Sequence, residues 1–258
     1  MKTLKVIARG APGITVIILL LISIEAAVNG GLVKRSLLPA PSDVGKVLWY
    51  LITNNEIIGP LSETLGRLAI GFGIGGTVAI LAGLSMGYWP RIYGLFEPLV
   101  ELLRPIPKAA LVPPLVLFIG VGNTMKVTSV ALAVFFPVLI NTIQGARGVD
   151  PVLVNTARTL GLRPFAILRK VILPASAPFI FAGMRLGLAL GLILAVLSEM
   201  IAGTGGVGFL IIDMQRAFRV RDMYAWLVIL AVIGFLLNKI LVAAERRVLF
   251  WQDATERR

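Results

Sequence analysis

Apolar runs of membrane-crossing length, separated by short polar breaks, dominate this chain. A helix that crosses a hydrocarbon core about 30 Å thick needs about 20 mainly apolar residues, because each residue rises about 1.5 Å. Six stretches approach that length, at residues 11–28, 61–87, 105–121, 127–144, 175–201 and 223–244. Pro113 and Pro114 interrupt the third and Pro137 the fourth, and lipid tolerates such breaks only where protein or water satisfies the freed carbonyls. Between the first two stretches, Val44, Val47, Leu48, Leu51 and Ile52 recur at helical spacing behind Pro41, Ser42 and Asp43. That pattern predicts a capped amphipathic helix over 42–54, lying on the outer membrane surface or packed on protein. Tyr88 to Pro107, with Arg91, Glu97, Glu101 and Arg104, reads as an interfacial helix that breaks at Arg104-Pro105-Ile106-Pro107. The expected fold is all-α and polytopic, one membrane domain over residues 1–258.

Composition strengthens this reading: 57% of the 258 residues are hydrophobic and 15% charged, with a mean hydropathy of +0.91, against about 45–50% apolar residues in a soluble domain. The net charge of +12 is scattered between apolar runs and forms no continuous basic face, so it argues against nucleic acid as a partner. It fits a topology signal instead. With the N-terminus in the cytoplasm, fifteen Lys and Arg fall in inner connections and seven in outer ones, the latter including Lys126; both termini are expected inside. Lys2, Lys5 and Arg9 before an apolar run ending near Ala26 and Ala27 are arranged as in a signal peptide, but the polytopic chain that follows makes the first span its own insertion signal. The chain contains no histidine and no cysteine, which removes the common nucleophile–base pairs and the nitrogen and sulfur metal sites. A membrane enzyme is disfavoured, and no metal site or cofactor is expected on this chain.

Gly71, Gly73 and Gly76 spell G-x-G-x-x-G, yet no strand precedes them and no acidic residue follows as a dinucleotide site requires. Gly71 and Gly75 instead suit close helix packing, and the stripe Gly183, Gly187 and Gly191 suits close packing at a subunit or helix interface. Charged and amide side chains at membrane depth face protein or water and mark pathways or interhelical bonds. The candidates are Arg67, Asn141, Gln144, Arg185 and Glu199. Arg185 is either an anion-pathway residue or a structural charge. Glu199, before the glycine-rich 203–208, either belongs to a flexible turn that forms part of an outer gate or contacts a binding protein, or caps a solvated loop; Asp213, Arg216, Arg219 and Arg221 mark a solvated outer helix.

The segment over 150–165 carries the clearest local code. Asp150 is a good N-cap, Pro151 fits the first helical turn, Gly161 suits the left-handed stop, and Pro164 can open a second helix. This predicts a short, capped, basic helix–turn–helix on the cytoplasmic face. Residues 155–174 resemble the cytoplasmic signature loop of ABC importer permeases, Glu-Ala-Ala, three residues, Gly, nine residues, Ile-x-Leu-Pro. The corresponding positions are Asn155, Thr156, Ala157, Gly161, Val171, Leu173 and Pro174, with Asn155 and Thr156 departing from the family's Glu and Ala. EPLVELLRPIP (97–107), FFPVLINT (135–142) and EMIAGTGGVG (199–208) resemble the nitrate, taurine and alkanesulfonate branch of that superfamily.

The resemblance implies a type I ABC importer permease fold of about six spans with a cytoplasmic coupling helix. Asn155, Thr156, Ala157, Arg158, Thr159, Leu160 and Gly161 would engage a separate ATPase, with small Ala157 and Gly161 packing against it. It further implies a second permease copy as a homodimer, ATP and Mg on the partner ATPase, and a periplasmic or lipid-anchored solute-binding protein, all at a bacterial inner membrane. The chain has no G-x-x-x-x-G-K-[ST] of its own. A secondary transporter or channel is the alternative; it would carry inverted repeats and no cytoplasmic lever.

Overall fold

A computed structural model describes the backbone of residues 2–250 and the side chains of residues 15–250. Among the described residues every regular element is helical. The helices are α1 (Lys2–Asn29), α2 (Pro41–Thr53), α3 (Ile58–Tyr88), α4 (Pro90–Leu103), α5 (Val112–Ile119), α6 (Asn123–Arg147), α7 (Pro151–Thr159), α8 (Pro164–Ile167), α9 (Leu173–Ala202), α10 (Val207–Arg216) and α11 (Val220–Val248). They form two compact units, one of the chain up to Pro60 with Leu210–Leu230, the other of Leu61–Phe209 with the chain from Ala231 on.

In the first unit, α2 matches the expected amphipathic helix, but its cap comes from elsewhere. No side chain of its own caps it; instead the Glu25 carboxylate on α1 accepts from the Ser42 amide at 3.0 Å and the Ser42 hydroxyl at 2.8 Å. A carboxylate at a helix N-terminus satisfies free amides and complements the dipole. Outside the spans, Arg219 donates to Asp222 at 3.0 Å, which holds the guanidinium above its ordinary pKa.

The second unit is organised around α6, whose Met125, Val130, Val134 and Val138 are fully buried and whose Ala133 and Leu139 are 1% exposed. Glycines bring its neighbours close. A β-carbon at Gly71 would strike Val130, at Gly75 the Ala131 backbone, at Gly83 Thr142 and at Gly87 Ala146, so α3 and α6 run in the same direction. Gly183 faces Asn141 and Val138, Gly187 faces Val134, and Gly191 faces Val134 and Val130, so α9 runs antiparallel to α6. Without a hydrophobic drive between helices in lipid, such close backbone approach supplies the packing energy. The expected glycine roles at Gly71, Gly75 and the 183–191 stripe are realised within one chain.

Parallel α3 and α6 require the intervening chain to travel back along the bundle. It does so in order: the Arg147 guanidinium lies 4.1 Å over the Tyr93 ring near the end of α6, the Lys108 ammonium 3.9 Å over Phe136 midway, and Val112 packs with Met125 near its start. This return path is bent by 87° between α4 and the arm made of a 3₁₀ turn, Lys108–Leu111, and α5. Two expectations are thereby corrected. Residues 105–121 are not one helix, and 88–107 is not a separate interfacial helix; both are arms of a single broken crossing. Pro105 and Pro107 deny the break its amide donors, while Pro113 and Pro114 stand in the first turn of α5, where the missing donors cost nothing.

Among the described residues four helices are long and apolar enough to cross a membrane: α3, α6, α11 and the continuous run Pro164–Ala202, in which α8 passes through a π-helical turn at Leu168–Ile172 into α9. The broken pair adds a fifth, and the described part of α1 supplies a shorter apolar helix, Thr15–Asn29. Lys126, expected in an outer connection, lies instead in the second turn of α6 and is only 2% exposed.

Candidate functional site: a coupling surface and a buried charge cluster

At the end of the bundle where α3 and α6 stop, α7 is built as its residues predict. The Asp150 carboxylate accepts from the Val152 amide at 2.8 Å, and Gly161 at φ +76° reverses the chain at low steric cost. The Leu162 amide then donates to Ala157 O at 3.1 Å and the Gly161 amide to Arg158 O at 2.9 Å, the paired bonds of a Schellman stop. Thr156 and Thr159 use their hydroxyls within the helix, on Val152 O and Asn155 O.

The seat of α7 differs from expectation in one respect. Ala157, expected to pack on a partner, is buried with Leu84 of α3, Ala146 of α6, and Ile167 and Ile172 of the following helix. Its small side chain brings α7 against its own spans, so it cannot form an outward contact. The outward face consists of Val152, Leu153, Leu160 and Phe165, from 52% to 74% exposed, flanked by exposed Asn155, Arg158, Arg163, Arg169 and Lys170. Asn155 and Arg158 also line a cleft of about 300 Å³ with Gly87, Tyr88 and Arg147. A short helix fixed from behind and apolar in front is suited to transmit force from a docked protein.

The opposite end, where α3 and α6 begin and α9 finishes, holds a buried ionic cluster. Arg67 is 8% exposed, Thr64 1% and Glu199 0%. Arg67 donates to Glu199 at 2.5 Å, to Glu63 at 2.7 Å, to Asn123 Oδ1 at 2.9 Å and to Gly205 O at 3.1 Å. Glu199 also accepts from Thr64 at 2.9 Å and from the Gly208 amide at 3.0 Å, while Thr64 Oγ1 accepts from the Val207 amide at 2.9 Å. Gly206, at φ +98°, leaves the Glu199 carboxylate the room that a β-carbon would fill. A buried pair is tolerated when its remaining hydrogen-bonding positions are satisfied, and here they tie the 203–208 turn to α3.

Of the sequence candidates, only Arg67 and Glu199 come together. Asn141 turns its amide to Pro137 O at 2.8 Å beside Gly183. Gln144 is exposed, in a cleft with Tyr93, Glu97, Glu101 and Arg104. Arg185 pairs with Glu245 of α11. Sequence reasoning missed Glu63, Thr64, Asn123 and Lys126; the four-residue spacing of Glu63 and Arg67 was the available signal.

This chain matches the family described as "Binding-protein-dependent transport system inner membrane component" over residues 75–249. It is 33% identical to the aliphatic sulfonates transport permease protein SsuC of Bacillus subtilis (strain 168), over 92% of this chain and 86% of that protein. It is also 33% identical to the taurine transport system permease protein TauC of Escherichia coli (strain K12), over 76% and 71%. Its fold matches an inward-facing form of the MetNI methionine ABC transporter with a TM-score of 0.65 at 17% identity, covering 73% of this chain and 94% of that one. A family match over most of the chain, two close permease relatives and a shared fold make this chain a member of the binding-protein-dependent ABC importer permeases, the multi-pass inner-membrane component that works with separate ATPase and solute-binding subunits.

Proposed function

We propose that this permease moves a small anion of the nitrate or sulfonate class into the cytoplasm, as a homodimer with both termini inside, driven by ATPase subunits that dock on residues 150–165. ATP and Mg are held by those subunits. The observation that carries the docking reading is the apolar face of Val152, Leu153, Leu160 and Phe165, exposed on a helix seated against α3, α6 and the α8 and π-helical run that continues into α9. Seating turns a push on α7 into a displacement of three helices at once, because close-packed interiors transmit strain. Asn155, Thr156, Arg158 and Thr159 serve at the rim, while Ala157 holds the lever to the bundle and Gly161 shapes its stop. The anion class is supported by the sulfonate and taurine relatives. Gln144, in its open cleft with Arg104, is the pathway candidate that the geometry favours, because Asn141, Arg67, Arg185 and Glu199 all have partners within the chain.

The docking surface is tested with Leu160→Ser/Phe165→Ser and with Gly161→Glu in the complete transporter. Both are expected to lower co-purification of the ATPase and solute uptake about tenfold or more, as loss of apolar interface anchors does, while the permease still inserts in the membrane. Wild-type uptake by both variants would refute docking at this segment.

A further inference from the structure

We infer that Lys126 is an anion-binding residue of the translocation pathway, its ammonium receiving the oxyanion group of the solute at the Arg67 end of the bundle. This rests on the anion reading above and adds the residue that recognises the charge.

Lys126 is 2% exposed, yet among the described residues its ammonium makes no salt bridge and donates no hydrogen bond. The charges whose fields reach it are Arg67, Glu199 and Glu63, and both carboxylates are turned to Arg67 at 2.5 and 2.7 Å. Among the described residues the one fully enclosed side-chain donor without a partner is Trp226 Nε1. The Lys126 ammonium is therefore not sealed in: its stem is buried and its tip keeps a trace of accessible surface, as a snorkelling cation does.

Neither helix stability nor packing accounts for a lysine here. Gly122 caps α6 without a side chain, so the first amides of a 25-residue helix are uncapped and carry partial positive charge. A cation one turn inside that end is repelled by it, and the two carboxylates whose fields favour it, Glu199 and Glu63, are bonded to Arg67 rather than to it. The same features together favour an anion. The exposed Asn123, whose Oδ1 is taken by Arg67 Nε at 2.9 Å, has its amide donors left over; with the Lys126 ammonium and the helix start they form a set of donors suited to nitrate or sulfonate oxygens.

The test uses the permease assembled with its ATPase subunits in nanodiscs, with nitrate and ethanesulfonate as probes and sodium gluconate holding ionic strength constant. Probe affinity is read from the shift in melting temperature, in wild type, Lys126→Arg and Lys126→Met. Lys126→Arg is expected to stay within a few-fold of wild type and Lys126→Met to weaken binding about tenfold or more, as loss of one charge-assisted hydrogen bond does. Equal affinity in Lys126→Met overturns the inference; where that variant fails to assemble, Lys126→Gln decides by the same comparison. Anion uptake by the complete transporter is measured in parallel. Uptake by wild type with no probe binding to the permease, or with no effect of Lys126, sinks this inference alone, whereas absence of anion uptake sinks the substrate reading and this inference with it.

Discussion

The two ends of the α3, α6 and α9 bundle solve opposite problems. At the Arg67 end, an ion pair that an apolar environment disfavours is buried and saturated: Glu199 is 0% exposed and accepts from Arg67, Thr64 and the Gly208 amide. At the α7 end, apolar side chains that water disfavours stand outward, with Leu160 74% and Phe165 70% exposed. Each is out of place by the rules of its own surroundings. Arg67 and Glu199 find their partners inside the chain and so fix a turn; the exposed apolar groups find none there, which points to a second protein.

Breaking the charge cluster should have the largest effect on the permease itself. Glu199→Gln keeps the shape but leaves Arg67 with the half-exposed Glu63 as its carboxylate partner among the described residues, at an expected cost of about 3–5 kcal/mol, read as a lower melting temperature of the purified permease. An unchanged melting temperature would show that the Arg67 end is not held by its ion pair. Gly75→Val, which drives a side chain into the Ala131 backbone, should cost about 1–3 kcal/mol through overpacking; a stable variant with normal uptake would mean that α3 and α6 slide freely. The smallest effect is expected at Arg185→Met. Its partner is Glu245, but the Arg185 side chain is 46% exposed, and an exposed pair contributes about 0–1 kcal/mol after solvent screening. Stability and uptake should both stay near wild type, and a large loss of uptake with normal stability would return Arg185 to the pathway.

Much of the coupling end was legible because its code is local. Asp150, Pro151, Gly161 and Pro164 specify start, stop and restart within a few residues, and each appears in its expected role. The face of Ala157 was not legible, since nothing in a nine-residue helix says which side its own spans will cover. At the other end, Arg67 and Glu199 were each visible as costly residues at membrane depth, but their pairing joins positions 132 apart in the chain. Lys126 was misplaced for a related reason: scored by neighbours in sequence it belongs to a loop, and only the packing of α6 shows it buried.

By itself the sequence determined that this is a helical membrane chain with a capped peg between its fourth and fifth apolar stretches, because hydropathy and caps act over one or two turns. Tertiary structure decided that α3 and α6 run parallel, that the chain returns between them as one broken crossing, and which charged groups meet. Those outcomes depend on contacts between residues far apart in the chain, where glycine spacing sets how closely two backbones approach and no local rule names the partner.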